Sequence, residues 1–156
     1  MNLFGVMAAS GSAMQAERMR AEVVAANMAN AETTRTASGG PYRRQEVVFA
    51  ADPGDPGFID SITTAAAGGL PPVAGADAVA PGVRVAQVVE DPSPPLKRYD
   101  PGHPDADADG YVAYPDINPL TEMVDLLGAT RAYGLNGSAV QAEKGMISAA
   151  LEIAKS

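Results

Sequence analysis

Small and apolar residues recur at alternating steps of three and four at both ends of the chain, while the middle has no such period. From residue 3 to about residue 31 there is no Pro, and Leu3, Met7, Ser10, Met14, Ala21, Val24 and Met28 fall on the heptad steps, with Glu17 interrupting. That spacing predicts a long helix with a narrow seam of small and flexible side chains. Asn27 and Asn30 are expected to set the chain's exit from it, because Asn competes for backbone hydrogen bonds near helix ends. Gly39-Gly40-Pro41 then makes a break. A second helix is predicted to start at Asn118-Pro119, with Asn as cap, Pro at the first helical position and Glu122 near the positive end. Its seam reads Met123, Leu126, Thr130, Tyr133, Gly137, Val140, Lys144, Ile147, Leu151 and Ala154. Such a helix is about 50 Å long, well beyond the average globular helix.

Between the helices the pattern is extended or irregular. Tyr42 to Ala50, Val83 to Glu90, Leu96 to Tyr99 and Tyr111 to Tyr114 read as strands, from their β-branched and aromatic content. Residues 51–82 are rich in Pro, Gly and Ala and read as an insertion, longer than compact domains usually carry as loop. Three segments follow: 1–31 an N-terminal axial helix, 32–117 a β and loop middle, and 118–156 a C-terminal axial helix. The expected fold class is mixed α and β, with the terminal helices packing as a coiled-coil-like pair.

A narrow seam does not bury a helix alone, and composition strengthens that point. The chain is 46% hydrophobic, but much of this is Ala, aromatics make up 5% and Trp is absent, so an isolated core is thin. Gly128, Gly134, Gly137 and Gly145 each cost the second helix about 1 kcal/mol relative to Ala. This helix wants neighbours, and its termini are expected to fray in a free subunit. The net charge of -8 argues against nucleic-acid partners, and the lack of a basic face against anionic membrane surfaces. No apolar run reaches the length of a membrane span, so no direct membrane insertion is expected. With no Cys there are no disulfides, zinc thiolates or thiol chemistry. The first residues lack the basic start and apolar centre of a cleaved signal peptide.

The sharpest local motif is Asp105-Ala-Asp107-Ala-Asp109-Gly110 running to Asp116. It has the carboxylate spacing of a calcium loop, because hard Ca²⁺ takes several oxygens around a tight turn. An EF-hand needs flanking helices, however, and Pro101, Pro104, Pro115 and Pro119 crowd these flanks. An acidic turn between extended segments is the favoured reading. His103, the only His, lies in Pro-Gly-His-Pro without a nucleophile motif and reads as a turn residue. Neither phosphate-cradling Gly loop is present, so no cofactor is expected. The Met residues read as flexible interface filler rather than soft-metal ligands.

Four stretches carry a resemblance: Leu3-Phe4 with Gly11-Ser12-Ala13-Met14 and Val24-Ala25-Ala26-Asn27-Met28-Ala29-Asn30-Ala31; Pro41-Tyr42-Arg43 leading to Val47-Val48-Phe49; Gly82-Val83-Arg84-Val85 through Tyr99-Asp100-Pro101-Gly102-His103-Pro104-Asp105 to Gly110-Tyr111-Val112; and Glu122-Met123-Val124-Asp125 with Ala129-Thr130-Arg131-Ala132-Tyr133. On these the chain resembles the flagellar rod and hook axial proteins, and among them the FlgC type of the proximal rod. The likeness spans nearly everything outside residues 51–81. It implies a non-enzymatic structural subunit of the basal body that leaves the cytoplasm through the flagellar type III system. Such a subunit polymerises helically around the export channel and transmits torque. Its implied partners are copies of itself, other rod proteins and adaptors near the MS ring and export gate. The assembly residues expected are Leu3, Met7, Met14, Val24, Asn27, Met28, Asn30, Met123, Leu126, Leu127, Tyr133, Val140, Ile147 and Leu151. The alternative is a calcium-binding scaffold or adhesion module using Asp105 to Asp116.

Overall fold

The computed structural model of the chain describes residues 3–52 and 82–155, with side chains from Gly5 onward. Helix α1 spans Leu3–Ala29, β1 Gln45–Asp52, β2 Gly82–Glu90, β3 Leu96–Tyr99, β4 Tyr111–Tyr114 and α2 Pro119–Lys155. The expected mixed architecture is present: two long helices flank a small β region of two separate two-stranded sheets, β1 with β2 and β3 with β4. The insertion expected over 51–82 lies outside the described residues except at its ends, where Ala51, Asp52 and Gly82 continue the strands. Among the described residues no helix is long and apolar enough to cross a membrane.

Helix ends follow the local chemistry. At the start of α2 the Asn118 side chain accepts from the Leu120 amide at 3.0 Å, and Pro119 fills the first helical position where no amide hydrogen is needed. At the end of α1 the Asn30 amide reaches the carbonyls of Ala26 and Asn27, its side chain donates to the Ala26 carbonyl at 2.9 Å, and Thr33 closes onto it. Asn30 therefore terminates α1 as expected. Asn27 does not: it sits inside the helix and points into the core, because stronger partners wait there.

The chain divides into two compact units, and both long helices contribute to each. In the unit of residues 17–49 and 85–132 the core contains Val23, Val24, Val112, Ile117 and Ala129, together with Asn27 and Glu122. Here α1 and α2 run antiparallel, since Asn27 meets Glu122 while the earlier Arg20 meets the later Asp125. The β3–β4 hairpin pairs Leu96 with Tyr114 and Tyr99 with Tyr111, and Val112 is its fully buried residue. Gly110 closes its turn at φ 81°, a left-handed conformation that L side chains rarely adopt, and a Cβ there would meet the Tyr99 ring. In the unit of residues 1–16, 50–84 and 133–156, Ser10, Ala16 and Glu143 are buried. Met14 lies against Gly137, and the Val83 amide donates to the Ser12 hydroxyl at 3.1 Å.

Candidate functional site

Asn27 is fully buried, and every hydrogen-bonding position of its carboxamide is taken. Its Nδ2 donates to the Gln45 carbonyl at 2.8 Å and to Glu122 Oε2 at 3.1 Å. Its Oδ1 accepts from the Gln45 amide at 2.9 Å and from the Tyr42 hydroxyl at 3.2 Å. The side chain thus pairs with the first residue of β1 as a neighbouring strand would, donating and accepting at once. It holds the start of α2 with its remaining hydrogen. The amide's orientation follows from this pairing, because Gln45 offers one donor and one acceptor.

Glu122, in the first turns of α2, is also fully buried and accepts from Arg44 Nε at 2.6 Å. Arg44 further pairs with Glu46, and its guanidinium lies 3.8 Å from Asp125, which Arg20 reaches at 3.1 Å. Burial works against the Arg44 charge, but the hydrogen bond and field of Glu122, then those of Glu46, outweigh it and raise its pKa. Burial first, then the charges of Glu122 and Glu90, raises the pKa of the Tyr42 hydroxyl. A buried carboxylate with a guanidinium and an amide on it is compensated. Removing one partner from such a pair costs about 3–5 kcal/mol.

The inward phase of α2 differs from the seam read in the sequence. Glu122, Ala129 and Glu143 are the buried positions, one residue before the expected Met123, Thr130 and Lys144. Of the three, Ala129 is small, Glu122 is held by Asn27 and Arg44, and Glu143 is a second buried carboxyl, while bulky apolar residues stay outside. Met123, Leu127, Tyr133 and Leu151 are exposed, as are Leu120, Val124, Leu135, Met146 and Ile153. Leu126, Val140 and Ile147 are half-buried at the flank. On α1, Val24 is buried and Met7, Met14, Met28 and Asn30 are half-buried, while the Leu3 side chain lies outside the described residues.

The acidic motif is committed internally. Asp105 accepts from the Thr34 hydroxyl at 2.8 Å and pairs with Arg35. Asp107 accepts from the amides of Asp109 and Tyr111, shaping the turn. β3 rather than a helix precedes it, and β4 occupies its second half. Among the described residues no three acidic or His side chains converge as a metal cage. The His103 Nδ1 accepts from the Asp105 amide, the turn role expected of it.

Sequence comparison decides among readings of these surfaces. A flagellar basal-body rod protein FlgC of Bacillus subtilis strain 168 is 40% identical over 159 residues, covering 99% of this chain and 100% of the relative. The chain belongs to the FlgC family of flagellar basal-body rod proteins. A FlgC of Borreliella burgdorferi is 38% identical over 98% of each chain, and one of Salmonella typhimurium strain LT2 is 34% identical over 94% of each. A family model described as "Flagella basal body rod protein" matches residues 7–35, and one described as "Flagellar basal body rod FlgEFG protein C-terminal" matches residues 108–153. The two matches contain the two sides of the buried hub, Asn27 in the first and Glu122 in the second. The sequence marks Glu122 for its place near a helix start, and both Glu122 and Tyr42 fall within the stretches of resemblance, but nothing in it assigns a shared role to Glu122, Tyr42, Arg44 and Gln45. No local pattern links them to Asn27, since Glu122 follows it by 95 residues.

Proposed function

We infer that this chain is a structural subunit of the flagellar basal-body rod, working beside other rod components. Its task is mechanical, to join neighbours stiffly enough to carry torque, in the proximal rod around the export channel. The single observation that carries this reading is the exposed apolar face of α2. Glu122, Ala129 and Glu143 face inward, while Leu120, Met123, Val124, Leu127, Leu135 and Leu151 face outward. A run of outward apolar residues that long marks an interaction surface. Many weak packing contacts along two helices sum to a stiff joint, and helical polymers need such patches to meet different patches on the next subunit.

Met7, Met14, Val24, Met28, Met123, Leu126, Leu127, Tyr133, Val140, Ile147 and Leu151 remain the proposed assembly positions, with Leu3 at the start of α1. Val24 supports them from beneath, being buried within the chain. Asn30 shapes the helix exit that carries them, and Asn27 ties α1 to Gln45 and Glu122. Adaptors near the MS ring are proposed as further partners, and type III export without a cleaved signal peptide as the route. The test is deletion of residues 120–156 in a motile host, followed by electron microscopy of purified basal bodies. Loss of the rod beyond this subunit is expected, and normal rods would sink the reading.

A further inference from the structure

We propose that the Asn27–Glu122 hydrogen bond, with Arg44 on the same carboxylate, fixes the register of α1 against the start of α2. The argument begins with what else could set it. Around the hub the buried apolar side chains of the two helices are Val23, Val24 and Ala129, all short. Short side chains make shallow knobs, so these apolar contacts alone hold a heptad alignment weakly. The polar residues are not interchangeable. A shift of seven residues, about 10 Å, brings Ala129 to Asn27 in place of Glu122. The amide then loses an acceptor, and Arg44 loses the carboxylate that it reaches at 2.6 Å. Asn27 cannot follow the shift, because two hydrogen bonds clamp it to Gln45 at the start of β1. One fixed strand start, one amide and one charge therefore select a single alignment. That alignment decides which residues of α2 remain outward, independently of what those residues contact. A buried polar contact used in this way selects one structure at some cost in stability.

The natural chain has no Cys, so spin labels can be placed cleanly. Cys introduced at Met19 and Val124, which are 41% and 62% exposed on the two helices, reports the register by pulsed electron resonance on the full-length chain. The unsubstituted hub is expected to give one narrow distance. In Arg44→Met/Glu122→Met, which keeps Asn27 on Gln45, a second population displaced by about 10 Å is expected, with the helix signal in circular dichroism retained. Glu122→Gln, which keeps an acceptor for Asn27, is expected to hold the single distance. A single parental distance in the double Met variant overturns the proposal. So does loss of its helix signal, which would make the hub a general stability element, and so does a broad distribution with the hub intact.

Discussion

One carboxamide carries an unusual share of the structural work. Asn27 has four hydrogen bonds, and truncation leaves the Gln45 amide and carbonyl and the Tyr42 hydroxyl to find new partners. Asn27→Ala is expected to cost about 3 kcal/mol, read as a lowered urea midpoint with little change in slope. Asn27→Asp should cost more, because it sets a second carboxylate against Glu122 and a backbone carbonyl. Tyr42 adds a pH dependence whose sign is fixed. Its folded pKa is raised by burial and then by Glu122 and Glu90, so its stabilising share is complete below the ordinary tyrosine value. That share is lost as pH rises through the raised value. The stability advantage of the natural chain over Tyr42→Phe is therefore expected to shrink above pH ~10, measured by urea unfolding across the alkaline range. The sequence did not disclose this cluster. Asn27 read as a helix-ending residue because Asn competes for backbone hydrogen bonds near helix ends, and nothing in Tyr42-Arg43-Arg44-Gln45 names a distant amide as partner.

Among the described residues, the two long helices, the four strands and the Asn118 cap follow from features short enough to read along the chain: heptad steps, β-branched runs and a cap beside a Pro. The phase of α2 did not follow, since heptad counting weights apolar bulk and the buried positions are Glu122, Ala129 and Glu143. The packing also bears on the helix glycines. A Cβ at Gly128, Gly134 or Gly145 would meet nothing within 4 Å, whereas one at Gly137 would come 3.9 Å from the Met14 methyl. Replacing Gly128, Gly134 and Gly145 by Ala should stabilise the isolated chain by up to about 1 kcal/mol each, seen as a higher melting temperature. If those glycines admit neighbouring helices, the same triple variant will assemble poorly and reduce swimming. Unimpaired motility would remove any packing role for them.

For the molecule as a whole, the most calcium-like stretch of sequence serves as an ordinary tether. Asp105 holds the segment after α1 through Thr34 and Arg35, and Asp107 holds its own turn. Calorimetry with Ca²⁺ is expected to show no micromolar binding, and heat that disappears in Asp105→Ala would contradict that assignment. The spacing alone was ambiguous, because a turn and a cation ask for carboxylates at the same intervals. The hub also sets the order of events in folding. Its parts stand at residues 27, 42 to 45 and 122, so closing it spans most of the chain, and such long-range closures are slow. However early α1 emerges, its buried amide must wait for a carboxylate that arrives late. Until residue 122 is present the first helix lacks one partner for its buried amide, and the hub closes only once the sequence up to that residue is available.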